Sequence, residues 1–249
     1  GAVVARNGHD NLVTFLQAGE YLRTIFLGRM LPSRLGILNI VSGAFGAFRR
    51  EALLRTGGWD VGPGEDGDLV FRLRKAGWKI LHVPQAQCFT NVPTTWRQLF
   101  RQRRRWDWTI VTFDCRKHAD MANFNSPNFR WSNFVVLVES WFFRVVLSVV
   151  FVLYVIWLGM FATNELGYIL ATNYAAYLAF DLVQWAVLFY YSAHWRRDAA
   201  FLPGWLLSPA YSFFLRVTTI WAMIEEALWR RSWQDTYVPE RVRRVTWHW

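Results

Sequence analysis

Apolar positions follow three rhythms along the chain. Residues 1–5, GAVVA, form a continuous apolar run like that of a buried strand. Leu12, Phe15, Leu16, Leu22, Ile25 and Phe26 then recur at helical spacing. They predict a helix capped by Asp10 and running to about Met30, with Pro32 just past its end. Residues 38–41 and 78–84 read as short strands, and residues 86–90 as another. Residues 50–56 suit a short helix closed by Gly57-Gly58. A further helix starts after Gly64, anchored by Leu69, Phe71, Leu73 and Ala76, and ends at Gly77. Trp96, Leu99, Phe100, Trp106, Ile110 and Phe113 predict a longer helix to about His118, with these residues on its core side. Thr94 or Thr95 can cap its start.

Beyond a polar loop at 119–130 the rhythm changes to long uncharged runs. Residues 145–162 and 166–192 are long enough to cross a bilayer, and Asp181 lies inside the second. An acid at that depth faces a bundle or a polar cavity, as a channel wall or an interhelical bond. Residues 131–144 mix Trp, Phe, Glu139 and Arg144, and suit an amphipathic interfacial helix. Arg130 and Arg144 precede the first run and Arg196-Arg197 follow the second, so both ends are expected in the cytoplasm with residues 163–165 outside. Residues 201–224 form a third apolar segment containing Pro203, Pro209 and Arg216. Crossing there would carry Arg230, Arg231, Arg241, Arg243 and Arg244 outward, so an interfacial or re-entrant path is favoured.

Composition sharpens this picture. A hydrophobic fraction of 53% with 16 Trp is accounted for by the apolar runs. A net charge of +10 beside such runs points to lipid-facing loops and an anionic ligand. Nucleic acid is disfavoured, since no nucleic-acid-binding motif accompanies the charge. Cys88 and Cys115 show no metal spacing and are expected to be free thiols. His9, His82, His118, His194 and His248 make no cluster from which a metal site could be built. The chain opens on Gly1, straight into a strand and without a signal-peptide pattern, so a piece of a longer protein is expected.

Three stretches carry candidate chemistry. Arg101, Arg103, Arg104 and Arg105 repel one another unless anions or carboxylates lie opposite; a solvated basic face near a membrane is the simpler alternative. Gln102, Arg105 and Trp106 fall on one stripe beside the core face. Glu65, Asp66 and Asp68 begin a helix, where acids suit the dipole, but the glycines beside them would also let a substrate approach Asp66. Asp68 reads as a dipole or Arg72 partner. Ser42-Gly43 with Gly46 is either turn punctuation or a small-residue floor beneath a bound ligand.

Gln102-Arg103-Arg104-Arg105-Trp106 resembles the QxxRW signature of the membrane-embedded, processive family 2 glycosyltransferases: the cellulose, hyaluronan, chitin and poly-N-acetylglucosamine synthases. Glu65-Asp66 resembles their ED motif, whose Asp is taken as general base, and SGAFGAFRR resembles their acceptor-side segment. The motifs stand in the family's order, and the resemblance covers nearly the whole chain but only the later part of the family's catalytic domain. It implies an α/β fold over 1–130, the C-terminal part of a cytoplasmic GT-A, Rossmann-like domain. A membrane region follows over 131–249, with an interfacial helix and two to three transmembrane helices. It further implies a multi-pass protein of the inner or plasma membrane. The expected reaction is inverting transfer from a UDP-sugar to the end of a β-linked polysaccharide, possibly with export.

By the same resemblance Asp66 and Glu65 are catalytic, while Gln102, Arg105, Trp106, Ser42 and Gly43 bind substrate. Mg²⁺ or Mn²⁺ is expected in the full-length enzyme on an upstream DxD, with no metal ligands in this chain, and the piece alone is expected to be inactive. Partners are the donor, a growing polysaccharide or lipid acceptor, and membrane lipid. Two departures stand out: Gly64, where relatives often carry another residue, and Trp108, two positions past the motif tryptophan, where they often carry a small one. The rival functions are single-sugar transfer to a lipid and a non-catalytic membrane anchor or transport module.

Overall fold

The structure, a computed structural model, describes residues 1–60 and 62–241. Arg243, Arg244 and His248 lie outside the described residues. Strand β1 (Ala2–Ala5) pairs in parallel with β2 (Gln87–Thr90), Ala2 opposite Gln87 and Ala5 opposite Thr90. All four β1 residues are buried, as its continuous apolar run requires. Helix α1 (Leu12–Tyr21) starts at Asn11, not Asp10. Asn11 Oδ1 accepts the Thr14 N–H at 3.1 Å, and Thr14 Oγ1 accepts the Asn11 N–H at 3.1 Å; this reciprocal box fixes the start one residue later than Asp10 would. The helix continues through a wide π-helical stretch, Leu22–Leu27. Pro32 falls inside α2 (Met30–Arg34) rather than after a helix end; it occupies the first turn, where a missing N–H costs nothing.

Residues 38–41 and 78–84 are not strands among the described residues. Side chains take the place of a strand partner there. Arg74 donates to the Gly36 and Leu38 carbonyls at 3.0 and 3.1 Å, and the His82 N–H donates to Ser33 Oγ at 2.7 Å. The expected α/β character is therefore carried by a single parallel pair, and the described residues are mostly helical.

Helix α3 (Arg50–Thr56) ends at Gly57, whose φ of 79° is the left-handed conformation glycine allows. Helix α4 (Glu65–Lys75) carries the acids in its first turn. Helix α5 (Trp96–Thr109) is capped by Thr95, whose side chain accepts the Gln98 N–H at 3.3 Å, and it widens into a π-helical extension, Ile110–Lys117. Its core side differs from expectation. Leu99, Trp108, Ile110 and Phe113 are buried, but Trp96 and Trp106 remain 42% and 40% exposed. Leu99 and Trp108 lie about 180° apart at helical pitch, so α5 is covered on two sides and Trp106 stays open.

The interfacial helix expected over 131–144 is not separate. Trp131–Phe161 is one 31-residue helix, long and apolar enough to cross a membrane. Its α-helical beginning, α6 (Trp131–Ser140), docks one face, with Val136 and Leu137, against Phe71, Phe113 and Met121, while Trp131, Val135 and Val138 on the other side stay exposed. A π-helical turn (Trp141–Val146) leads into α7 (Leu147–Phe161). The second such helix, Thr163–Tyr191, contains α8 (Leu166–Tyr191). Trp185 and Leu188 of α8 belong to the same apolar core as β1 and α1. Asp181 is buried there, ion-paired with Arg23 and accepting the Ser208 hydroxyl at 2.8 Å, which fits the interhelical-bond alternative. Short helix α9 (Trp195–Asp198) leads to a 3₁₀ stretch (Ala199–Leu207) and α10 (Ser208–Trp229). With Arg216, Glu225 and Glu226 along it, α10 is not among the two span-length apolar helices of the described residues. It packs along α5, and Arg216 donates to the Phe143 carbonyl at 3.1 Å in the π-helical turn.

Candidate functional site

The site begins where α4 touches α5. Gly64, at φ 80°, precedes α4, and a Cβ there would collide with Thr109 and lie 3.0 Å from Phe113 Cε2. Glycine is what lets the acidic helix start reach the arginine helix. Asp66 Oδ2 accepts the Gly43 N–H at 2.9 Å, and its Oδ1 accepts the Gly67 N–H at 2.9 Å. A Cβ on Gly43 would sit 3.5 Å from both Asp66 Oδ2 and Glu65 Oε1, so the Ser42-Gly43 turn is in contact range of both acids. Burial, and then the Asp66 charge, push the Glu65 carboxyl up, while Arg105 pulls it the other way.

Arg29 completes this side. Its Nη1–H donates to Ser42 Oγ at 2.7 Å, anchoring the turn that holds Asp66. Burial lowers the Arg29 guanidinium to about 10, against the opposing pull of Asp66. The sequence reading missed Arg29, a single basic residue past the end of an apolar face. Its only signal was position, shortly before the Ser42 turn.

On α5, Gln102 Oε1 is buried with no partner among the described residues. Arg105 Nε–H donates to Asp235 Oδ2 at 2.9 Å, and its guanidinium lies 4.3 Å from the centre of the Tyr237 ring. Much of the self-repulsion expected of the arginine run is met by carboxylates: Arg103 pairs with Glu20 of α1, Arg104 with Glu225 of α10 at 3.5 Å, and Arg105 with Asp235 at 2.9 Å. Ser42, Gly43, Glu65 and Asp66 thus meet directly. Arg105 reaches them through its charge on Glu65, and α5 touches the start of α4 at Thr109, while Gln102 and Trp106 share the helix with Arg105.

Asp68 proves more than a dipole partner. It is fully buried and receives Arg72 Nε, Lys117 Nζ and His118 Nε2, each at 2.8 Å. Burial alone would raise its carboxyl, but the His118 and Lys117 hydrogen bonds and the neighbouring charges together hold it well below the usual range. His82 sits against the Phe26 carbonyl at 3.2 Å and is lowered to about 4 by burial and then Arg29, as suits a structural histidine. Cys88 and Cys115 are free thiols. Among the described residues no group of three His, Cys, Asp or Glu could hold a metal ion.

The Ser42-Gly43 turn thus meets the acids that open α4, and α4 in turn touches the arginine helix α5. The family model described as "Glycosyl transferase family group 2" matches residues 4–224, and the chain belongs to that family. It is also similar to the poly-beta-1,6-N-acetyl-D-glucosamine synthase of Staphylococcus aureus (strain COL), at 33% identity over 92 residues. That match covers 36% of this chain and 22% of the relative. The synthase of the same name from Staphylococcus epidermidis is 34% identical over 92 residues, with the same coverage of 36% and 22%. The matched stretch therefore spans about a fifth of the length of these curated relatives.

Proposed function

We propose that this chain carries the acceptor side and membrane region of an inverting glycosyltransferase, which moves a sugar from a UDP-sugar to the growing end of a β-linked polysaccharide at the cytoplasmic membrane face. The observation that carries this reading is the meeting of Asp66 with the Ser42-Gly43 turn at 2.9 Å, beside a helix bearing Gln102, Arg105 and Trp106. Residues 1–130 are assigned to a GT-A-type domain and 131–249 to a multi-pass membrane region of the inner membrane. The basic residues flanking the two apolar helices support that orientation.

In this reading the acceptor hydroxyl lies against Asp66. Each Asp66 oxygen takes one backbone N–H and retains a lone pair for the hydroxyl proton. The acceptor oxygen forms the bond to the donor's anomeric carbon, the bond from that carbon to the diphosphate breaks, and the proton passes to Asp66. Arg105 takes up charge on the departing diphosphate, exchanging its bond to Asp235 for the phosphate oxygens. Gln102 offers the buried Oε1 to a sugar hydroxyl. A divalent ion, if the whole enzyme uses one, would neutralise the diphosphate from residues other than these. The name shared by the relatives makes N-acetylglucosamine the first sugar to try.

The test is sugar incorporation by membranes carrying the full-length protein, supplied in turn with labelled UDP-N-acetylglucosamine and UDP-glucose. A high-molecular-weight labelled product is expected. A lipid carrying one labelled sugar would replace the polymer reading with single transfer. Absence of transfer from every UDP-sugar, in membranes where the protein is folded, would sink the proposal.

A further inference from the structure

Arg103 is one of the two variable letters inside the motif, yet its environment is the most specific on α5. Its two terminal nitrogens reach Glu20 Oε1 and Oε2 at 2.6 and 2.8 Å, a two-pronged pair in which the side chains are only 12% and 10% exposed. Glu20 Oε2 also accepts the Tyr211 hydroxyl at 2.6 Å, so α1, α5 and α10 meet at one carboxylate. The pair holds the Arg103 guanidinium charged, the Glu20 anion outweighing burial. The guanidinium plane is thereby fixed, and it lies 4.7 Å from the centre of the Trp106 ring and 5.7 Å from that of Tyr21. Trp106 is still 40% exposed, so one indole face is occupied by Arg103 while the ring keeps open surface.

We propose that Arg103 is a positioning residue for Trp106: locked by Glu20 and Tyr211, it pins one face of the indole so that the other is presented to an acceptor sugar ring. This rests on the glycosyltransferase reading above. A fork held by two carboxylate oxygens fixes direction as well as distance, which a point charge on a flexible stem would not do. A flat cation against an aromatic face holds the ring by attraction to its π electrons, and sugar rings use the same kind of face through their C–H edges. The arrangement also explains why a residue that touches no substrate is more deeply buried than Arg105, which does in this reading.

The experiment measures binding by the full-length protein in lipid nanodiscs, with two probes: a β-1,6-linked N-acetylglucosamine pentasaccharide and UDP. Trp106→Ala should weaken the oligosaccharide about tenfold and leave UDP unchanged. Arg103→Met should weaken it about fivefold, also with UDP unchanged, and Arg103→Lys should recover part of the loss through its retained charge. Should Arg103→Met fail to fold, Tyr211→Phe removes one hydroxyl from Glu20 and keeps the ring. It is expected to weaken the oligosaccharide about twofold and spare UDP. If Arg103→Met and Tyr211→Phe both leave the oligosaccharide unchanged while Trp106→Ala weakens it, the positioning role is wrong and the acceptor platform stands. Equal loss of both probes in Arg103→Met would make Arg103 a general scaffold residue and overturn the proposal. If Trp106→Ala has no effect, the platform falls, and the positioning role with it.

Discussion

Gly64 occupies a backbone conformation at φ 80° that side chains rarely adopt, against a stiff β-branched Thr109. Substituting it strains the turn and drives a methyl into α5 together. Gly64→Ala is expected to destabilise the protein by about 2–3 kcal/mol. It should also widen the gap between α4 and α5, and so depress turnover as well. Chemical unfolding in detergent checks the first and sugar incorporation the second; a variant as stable as the parent would show that the α4–α5 contact is looser than described. At this scale the sequence was most legible in the acids Glu65 and Asp66, which open a helix beside glycines as expected. It was least legible where function depends on a distant partner. Glu20 sits 83 residues from Arg103, and nothing in either neighbourhood marks the pair. Arg29 reaches the site only because the chain returns at Ser42.

Helix α4 carries the proposed base at its first turn, and its position is set two residues later by Asp68. The three groups on Asp68 come from α4 itself and from the end of the α5 extension, so this buried carboxylate ties the acid helix to the arginine helix. Because its folded value lies below the ordinary carboxylate value of about 3.9, its contribution is complete above that pH and is lost as the pH falls toward the folded value. Asp68→Asn at neutral pH leaves buried cations without their anion and is expected to cost about 3 kcal/mol. The stability gap between parent and variant, read from unfolding curves, should be full at pH 7 and narrower, though still open, at pH 3. A constant gap across that range would contradict the clamp. Helices with their own start and stop signals, α3 and α4, stood where glycines and acids predicted. The missing strands at 38–41 and 78–84 were apolar runs without a described sheet neighbour, a property no local pattern contains. The covering of α5 was likewise decided by α10, a helix more than a hundred residues later.

Across the whole molecule, the two regions expected as separate domains share a core. Trp185 and Leu188, from the second long apolar helix, are buried with Ala2, Val3 and Leu22. Asp181 of the same helix pairs with Arg23 from the extension of α1. Both helices of membrane-crossing length therefore pack on the rest of the chain, the second in the core of β1 and α1 and the first against Phe71 of α4 and Phe113 of the α5 extension. Length and apolarity made those helices legible, but not that the first begins as early as Trp131, nor that the end of the second packs with β1 and α1. The motif order identified the family because each motif is local, whereas their convergence is a property of the fold. In the proposed reaction Asp66 is the base for sugar transfer. Turnover of the full-length protein and its Asp66→Asn variant, assayed side by side with a UDP-sugar, tests it most directly. A fall of about a thousandfold in turnover with UDP affinity unchanged is predicted. Turnover within twofold of the parent would contradict it.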